Sequence, residues 1–98
     1  MGSLKPFRDE IDALDEKLID LLARRFEIVR EVGALKAREG LDVVQSARAQ
    51  QVLERVSAMA KAKGLDPVLM REIWAMMIAR AHVIEEEIKN DHATGSHG

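Results

Sequence analysis

The stretch from Phe7 to Lys36, FRDEIDALDEKLIDLLARRFEIVREVGALK, decides how this chain folds. Its apolar side chains recur at alternating steps of four and three residues, so they lie on one face of a long helix. This apolar stripe consists of Phe7, Ile11, Leu14, Leu18, Leu21, Arg25, Ile28, Val32 and Leu35. Arg25 is its one charged member, and a cation on a core-facing surface needs an anion because an unpaired buried charge is costly. The stretch therefore predicts either an ion pair at Arg25 or an acidic small molecule bound between helices.

Composition indicates one small all-α domain. The 98 residues include six glycines, two prolines and no tyrosine, whereas helix-forming residues are abundant. The net charge of −2 gives no global basic field, so we expect no nucleic-acid partner. No segment approaches the ~20 apolar residues of a membrane span, and no signal-peptide core is evident. The absence of cysteine fits a reducing compartment, and we predict a cytoplasmic protein that does not bind membranes.

Three helices are predicted from their start and stop signals. They run from about Pro6 to Glu39, from Ser46 to Gly64, and from Pro67 to Asn90. Gly40 and Gly64 provide the two stops, and Asp66 before Pro67 is a strong helix start. The predicted organisation is an N-terminal tail at residues 1–5, a helical domain at 6–90 and a disordered tail at 91–98.

The length of the first helix predicts a partner. About 32 residues span about 48 Å, more than the two shorter helices can cover. A chain this small also buries its surface poorly. We therefore expect a homodimer packed around a two-fold axis, with a monomer carrying a long exposed helical arm as the alternative.

Further charged residues accompany Arg25. Lys36 follows eleven residues later on the same side of the helix, although its place near a helix C-terminus also suits the helix dipole. Arg48 leans toward the apolar face of helix two, with a surface salt bridge as the alternative. Glu85 continues the apolar series of helix three, or else it is the solvated end of an acidic run. His82, His92 and His97 lack metal-ligand spacing, and no phosphate loop or Ser-His-Asp pattern is supported.

These residues resemble the all-helical chorismate mutases. The pattern R-x-x-I-D-x-L-D-x-x-L-x-x-L-L-x-x-R runs from Arg8 to Arg25, and V-G-x-x-K follows at Val32 to Lys36. A weaker likeness continues through Arg48 and the Leu65-Asp66-Pro67 turn. The resemblance covers roughly residues 7–87.

The resemblance implies an intertwined dimer of three-helix chains with two equivalent active sites. Each site would be built mostly by one chain and completed by Arg8 from the other. Arg25 and Arg48 would hold the two carboxylates of chorismate, and Lys36 would bond the ether oxygen of the breaking bond and help hold a carboxylate. The reaction it implies is the rearrangement of chorismate to prephenate in aromatic amino-acid biosynthesis, without cofactor, metal or covalent intermediate.

The chain departs from the family pattern at four positions. Gln45 stands where an aspartate is usual, and Ala49 stands where a glutamate usually reads the substrate's ring hydroxyl. We therefore expect that contact to be altered, or to be taken over by Gln45 or Gln50. Ala81 replaces a serine, and Glu85 replaces a glutamine that bonds the ether oxygen. Because a carboxyl group donates only when protonated, we predict activity that rises as pH falls.

Two further classes of function remain open at this stage. Isochorismate pyruvate-lyases and 4-amino-4-deoxychorismate mutases share the fold that the resemblance implies, and the change at Ala49 suits either. A helical dimerisation or regulatory module without catalysis would instead pair Arg25 and Lys36 with protein carboxylates.

Overall fold

A computed structural model describes residues 2–95 and contains three helices in that range. They are α1 (Lys5–Glu39), α2 (Ser46–Ala62) and α3 (Pro67–Gly95). No strand occurs in the described residues. The prediction of an all-α chain with a long first helix is therefore confirmed.

The helix ends follow the signals in the sequence. Gly40 adopts a left-handed conformation with φ of 64°, and its amide donates to the Lys36 carbonyl, which ends α1. Gly64 has φ of 74° at the turn after α2. Asp66 Oδ1 accepts hydrogen bonds from the amides of Val68 at 2.9 Å and Leu69 at 3.4 Å, and so caps α3.

The end of α3 corrects the prediction. The helix continues past Asn90 to Gly95, so residues 91–95 are helical rather than disordered. No helix-breaking residue precedes Gly95, and Thr94 Oγ1 donates to the Asn90 carbonyl at 2.6 Å along the last turns. Residues 96–98 of the predicted tail lie outside the described residues.

The arrangement of the helices leaves a space between α1 and α2. α3 packs against both of them, whereas α1 and α2 do not pack directly against each other in the described chain. The buried apolar residues are few and sit along α2, α3 and the α1–α2 loop: Val43, Val56, Ala60 and Ala81. The loop and two helices thus form the walls of a cavity whose floor is α3.

The N-terminal half of α1 has no neighbour within the described chain. All residues from 5 to 21 are exposed, and they include large apolar side chains. Phe7, Leu14 and Leu21, for example, are between 57% and 68% exposed. The described molecule measures 63 × 29 × 14 Å, which reflects this projecting helix. None of the described helices combines the length and apolarity needed to span a bilayer.

Candidate active site

A cavity of about 450 Å³ lies between the three helices, within the ~300–1,000 Å³ usual for small-molecule sites. It brings together seven of the eight residues predicted from the sequence. These are Arg25, Lys36, Gln45, Arg48, Ala49, Ala81 and Glu85. Residues that are up to 60 positions apart in the chain therefore line one space.

Lys36 and Glu85 form the buried end of this cavity. Lys36 Nζ donates to Glu85 Oε1 at 2.6 Å, and the two side chains are only 14% and 6% exposed. The same ammonium donates to the Val43 carbonyl at 2.7 Å. An ammonium has three N–H donors, so two of them fix its position and one remains for a ligand. Glu85 Oε2 makes no hydrogen bond within the described part of the chain.

Gly33 lets α1 approach α3 closely at this pair. A Cβ atom at position 33 would lie 3.0 Å from Ile88 Cδ1, 3.2 Å from Glu85 Cγ and 3.3 Å from Glu85 Cα. Two of these distances involve Glu85 itself, including its backbone. The glycine of the V-G-x-x-K pattern thus provides the room in which Glu85 meets Lys36 one turn later.

Arg25 and Arg48 are the two cavity cations without a carboxylate partner in the described part of the chain, since neither forms an ion pair within residues 2–95. Arg48 Nη1 donates instead to the neutral Gln51 Oε1 at 2.9 Å. Three cations and one carboxylate line the cavity, which leaves a formal charge of +2 when histidine is neutral. A cavity with this balance is suited to an anion, above all a dianion.

Gln45 and Gln50 differ in their position relative to the cavity. Gln45 lines the cavity and donates through Nε2 to the Asp42 carbonyl at 3.3 Å. Gln50 does not line it, and its Nε2 donates to Glu54 at 3.4 Å. Of the two glutamines expected to take over the ring-hydroxyl contact, Gln45 therefore lies at the cavity and Gln50 is not among its lining residues.

Arg8 lies far from this cavity in the same chain. Seventeen residues separate it from Arg25 along α1, a distance of about 26 Å at ~1.5 Å per residue. Arg8 is exposed and is absent from the cavity lining. Within one chain the structure thus brings seven predicted residues together and leaves Arg8 apart.

Two contributors to the cavity go beyond the residues predicted from the sequence. His82 lines the cavity, and its position three residues before Glu85 on one helix is the signal that places it near the same face. The Val43 carbonyl orients Lys36, and no side-chain signal could have revealed a backbone acceptor in a loop. No cluster of three or more potential metal ligands occurs among residues 2–95.

The family model for chorismate mutase type II matches residues 7–86. The chain belongs to this family. The match reaches into all three helices and includes every site position discussed above, from Arg8 to Glu85.

Curated relatives agree with the family assignment. The chain is 33% identical over 87 residues to the T-protein of Enterobacter agglomerans, and 33% identical over 89 residues to a bifunctional chorismate mutase/prephenate dehydratase of Escherichia coli K12. These matches cover 89% and 91% of this chain but only 23% of each relative. A 4-amino-4-deoxychorismate mutase of Streptomyces venezuelae is 29% identical over 85 residues, which cover 82% of that protein.

Proposed function

We propose that this protein is a chorismate mutase that converts chorismate to prephenate in aromatic amino-acid biosynthesis. The observation that carries the proposal is the cavity of +2 formal charge, in which Arg25 and Arg48 lack carboxylate partners among residues 2–95. Chorismate carries two carboxylates, so its charge complements the cavity. Membership of the chorismate mutase family supports the same activity.

In this proposal Arg25 and Arg48 bind the two substrate carboxylates. Arginine offers planar, paired donors that match a carboxylate and keep their charge at all physiological pH values. Arg25 is half-buried in the middle of α1, and Arg48 is exposed at the α2 side of the cavity. Holding both carboxylates favours the folded substrate conformer in which the two carbon atoms that bond are close together.

Lys36 and Glu85 act on the ether oxygen at the buried end. The carbon–oxygen bond breaks as the new carbon–carbon bond forms, and negative charge develops on that oxygen in the transition state. The remaining N–H of Lys36 stabilises this charge, and Glu85 donates a second hydrogen bond to it when its ionised carboxylate has taken up a proton on Oε2. The rearrangement is intramolecular, so it needs no nucleophile, general base, cofactor or metal.

A second copy of the chain completes each site in an intertwined homodimer. The exposed apolar stripe of α1 needs a cover, and the Arg8 end of the helix projects beyond its own cavity. Two chains related by a two-fold axis exchange these ends, so Arg8 reaches the partner's cavity and binds the substrate there. We place the enzyme in the cytoplasm.

The proposal is tested by incubating the purified protein with chorismate and identifying the product by mass and chromatography. We expect loss of chorismate with equimolar formation of prephenate. Isochorismate and 4-amino-4-deoxychorismate serve as parallel substrates, because the resemblance and the Streptomyces relative raise these reactions. If the protein converts one of these two compounds and leaves chorismate unchanged, that reaction replaces the proposed one. No turnover of all three would favour a dimerisation module without catalysis.

A further inference from the structure

The polar side chain of His82 lines the cavity but has no role in the proposed mechanism. It is half-buried on α3, one residue after Ala81 and three before Glu85. It makes no hydrogen bond or ion pair in the described part of the chain. A neutral imidazole both donates and accepts, so this side chain is equipped to bind an uncharged polar group.

The other polar residues of the cavity are already engaged or bear charge. Lys36 and Glu85 pair with each other, and one N–H of the exposed Gln45 side chain donates to the Asp42 carbonyl at 3.3 Å. Arg25 and Arg48 supply charge for carboxylates. The remaining wall is formed by apolar residues, among them Ala49, Val52 and Ile78. A neutral hydroxyl that faced these apolar residues would lose its hydrogen bonds to water unless an uncharged polar side chain such as His82 replaced them.

We propose that His82 is a specificity-determining residue that hydrogen-bonds the ring hydroxyl of the substrate. The inference rests on the proposed function, because the ring hydroxyl is the polar group of chorismate other than its carboxylates and ether oxygen. A site built to bond a hydroxyl discriminates against an analogue that lacks it, because the buried protein group is then left unpaired.

The test combines loss of the His82 imidazole with loss of the ligand's ring hydroxyl and compares the effects of the two changes on binding affinity. Two ligands are used: the oxabicyclic dicarboxylic acid that mimics the transition state, and its counterpart in which the ring hydroxyl is replaced by hydrogen. Their Kd values are measured by calorimetry for the wild type and for His82→Leu, His82→Gln and His92→Leu. His92 lies on the same helix outside the cavity and is the matched control.

We expect His82→Leu to weaken binding of the hydroxylated ligand about tenfold, which equals about 1.4 kcal/mol, and to leave the other ligand within about twofold. His82→Gln should recover part of the loss, and His92→Leu should change neither value. Equal weakening of both ligands would mean that His82 only supports the fold, and unchanged binding of both would also overturn the inference. If the wild type bound neither ligand and converted no chorismate, the proposed function itself would fail.

Discussion

The charge of Arg25 is the residue-scale feature on which the proposed site depends. Half-buried in the middle of α1 and without an acidic partner among residues 2–95, it has no evident structural task. We expect Arg25→Ala to lower kcat/KM by about 10²–10³-fold, as for other preorganised donors, while the protein stays folded. Steady-state kinetics and circular dichroism measure both effects.

Arg24→Ala is the matched control for that substitution. Arg24 is the adjacent residue, is 59% exposed and pairs with Glu27 at the surface. Its loss should leave kcat/KM within about twofold and change stability by less than about 1 kcal/mol. If Arg25→Ala unfolds the protein instead, Arg25 is structural and the site assignment is wrong.

The proposed role of Glu85 as a hydrogen-bond donor makes the activity depend on pH. Its Oε1 accepts from Lys36, so the proton that would be donated to the ether oxygen belongs on Oε2. Only a protonated carboxyl can donate from Oε2, so the predicted rise of activity toward low pH is tested by measuring kcat at several pH values in the wild type and in Glu85→Gln. Glu85→Gln carries a permanent N–H donor and should give a flatter profile. A flat wild-type profile, or an unchanged slope in Glu85→Gln, would remove the proposed role.

At the scale of the elements, the contact between α1 and α3 sets the geometry of the Lys36–Glu85 pair. Gly33→Ala places a Cβ 3.0 Å from Ile88 Cδ1 and 3.2 Å from Glu85 Cγ. Although alanine favours helix, we expect this crowding to lower the free energy of unfolding by about 1–3 kcal/mol and to lower kcat. Denaturant unfolding and kinetics provide the two readouts.

A second substitution, Ile88→Val, tests whether crowding causes the loss of stability expected in Gly33→Ala. Valine lacks the Cδ1 atom that is nearest to the added Cβ, so the double variant should recover part of the stability lost in Gly33→Ala. Strict additivity of the two substitutions would contradict the crowding explanation.

The sequence predicted the helix boundaries where a residue type determines the backbone. Gly40 and Gly64 take up positive φ, and Asp66 before Pro67 caps the next helix. The predicted end of α3 at Asn90 is five residues too early, because the polar residues that follow are compatible with helix and only Gly95 breaks the pattern. The Val43 carbonyl beside Lys36 was beyond prediction, since a loop conformation decides where a backbone oxygen lies.

At the scale of the whole molecule, the exposed stripe of α1 determines the oligomeric state that we expect. Leu14 and Leu18 are 57% and 56% exposed in the single chain. If a second copy covers them, Leu14→Glu should weaken the dimer by about 2 kcal/mol or more, as for a buried interface residue. Sedimentation equilibrium measures this, with Glu16→Lys outside the stripe as the control. A wild type that remains monomeric at all concentrations would contradict the homodimer.

In the proposed homodimer two chains share each active site through Arg8, and this sharing is tested by mixing inactive variants. Arg8→Ala and Arg25→Ala homodimers should each be nearly inactive. After subunit exchange, about half of the dimers are hybrids, and each hybrid has one site with both arginines. We predict recovery of about one quarter of wild-type activity toward chorismate. No recovery, despite hybrids demonstrated by native mass spectrometry, would contradict the claim.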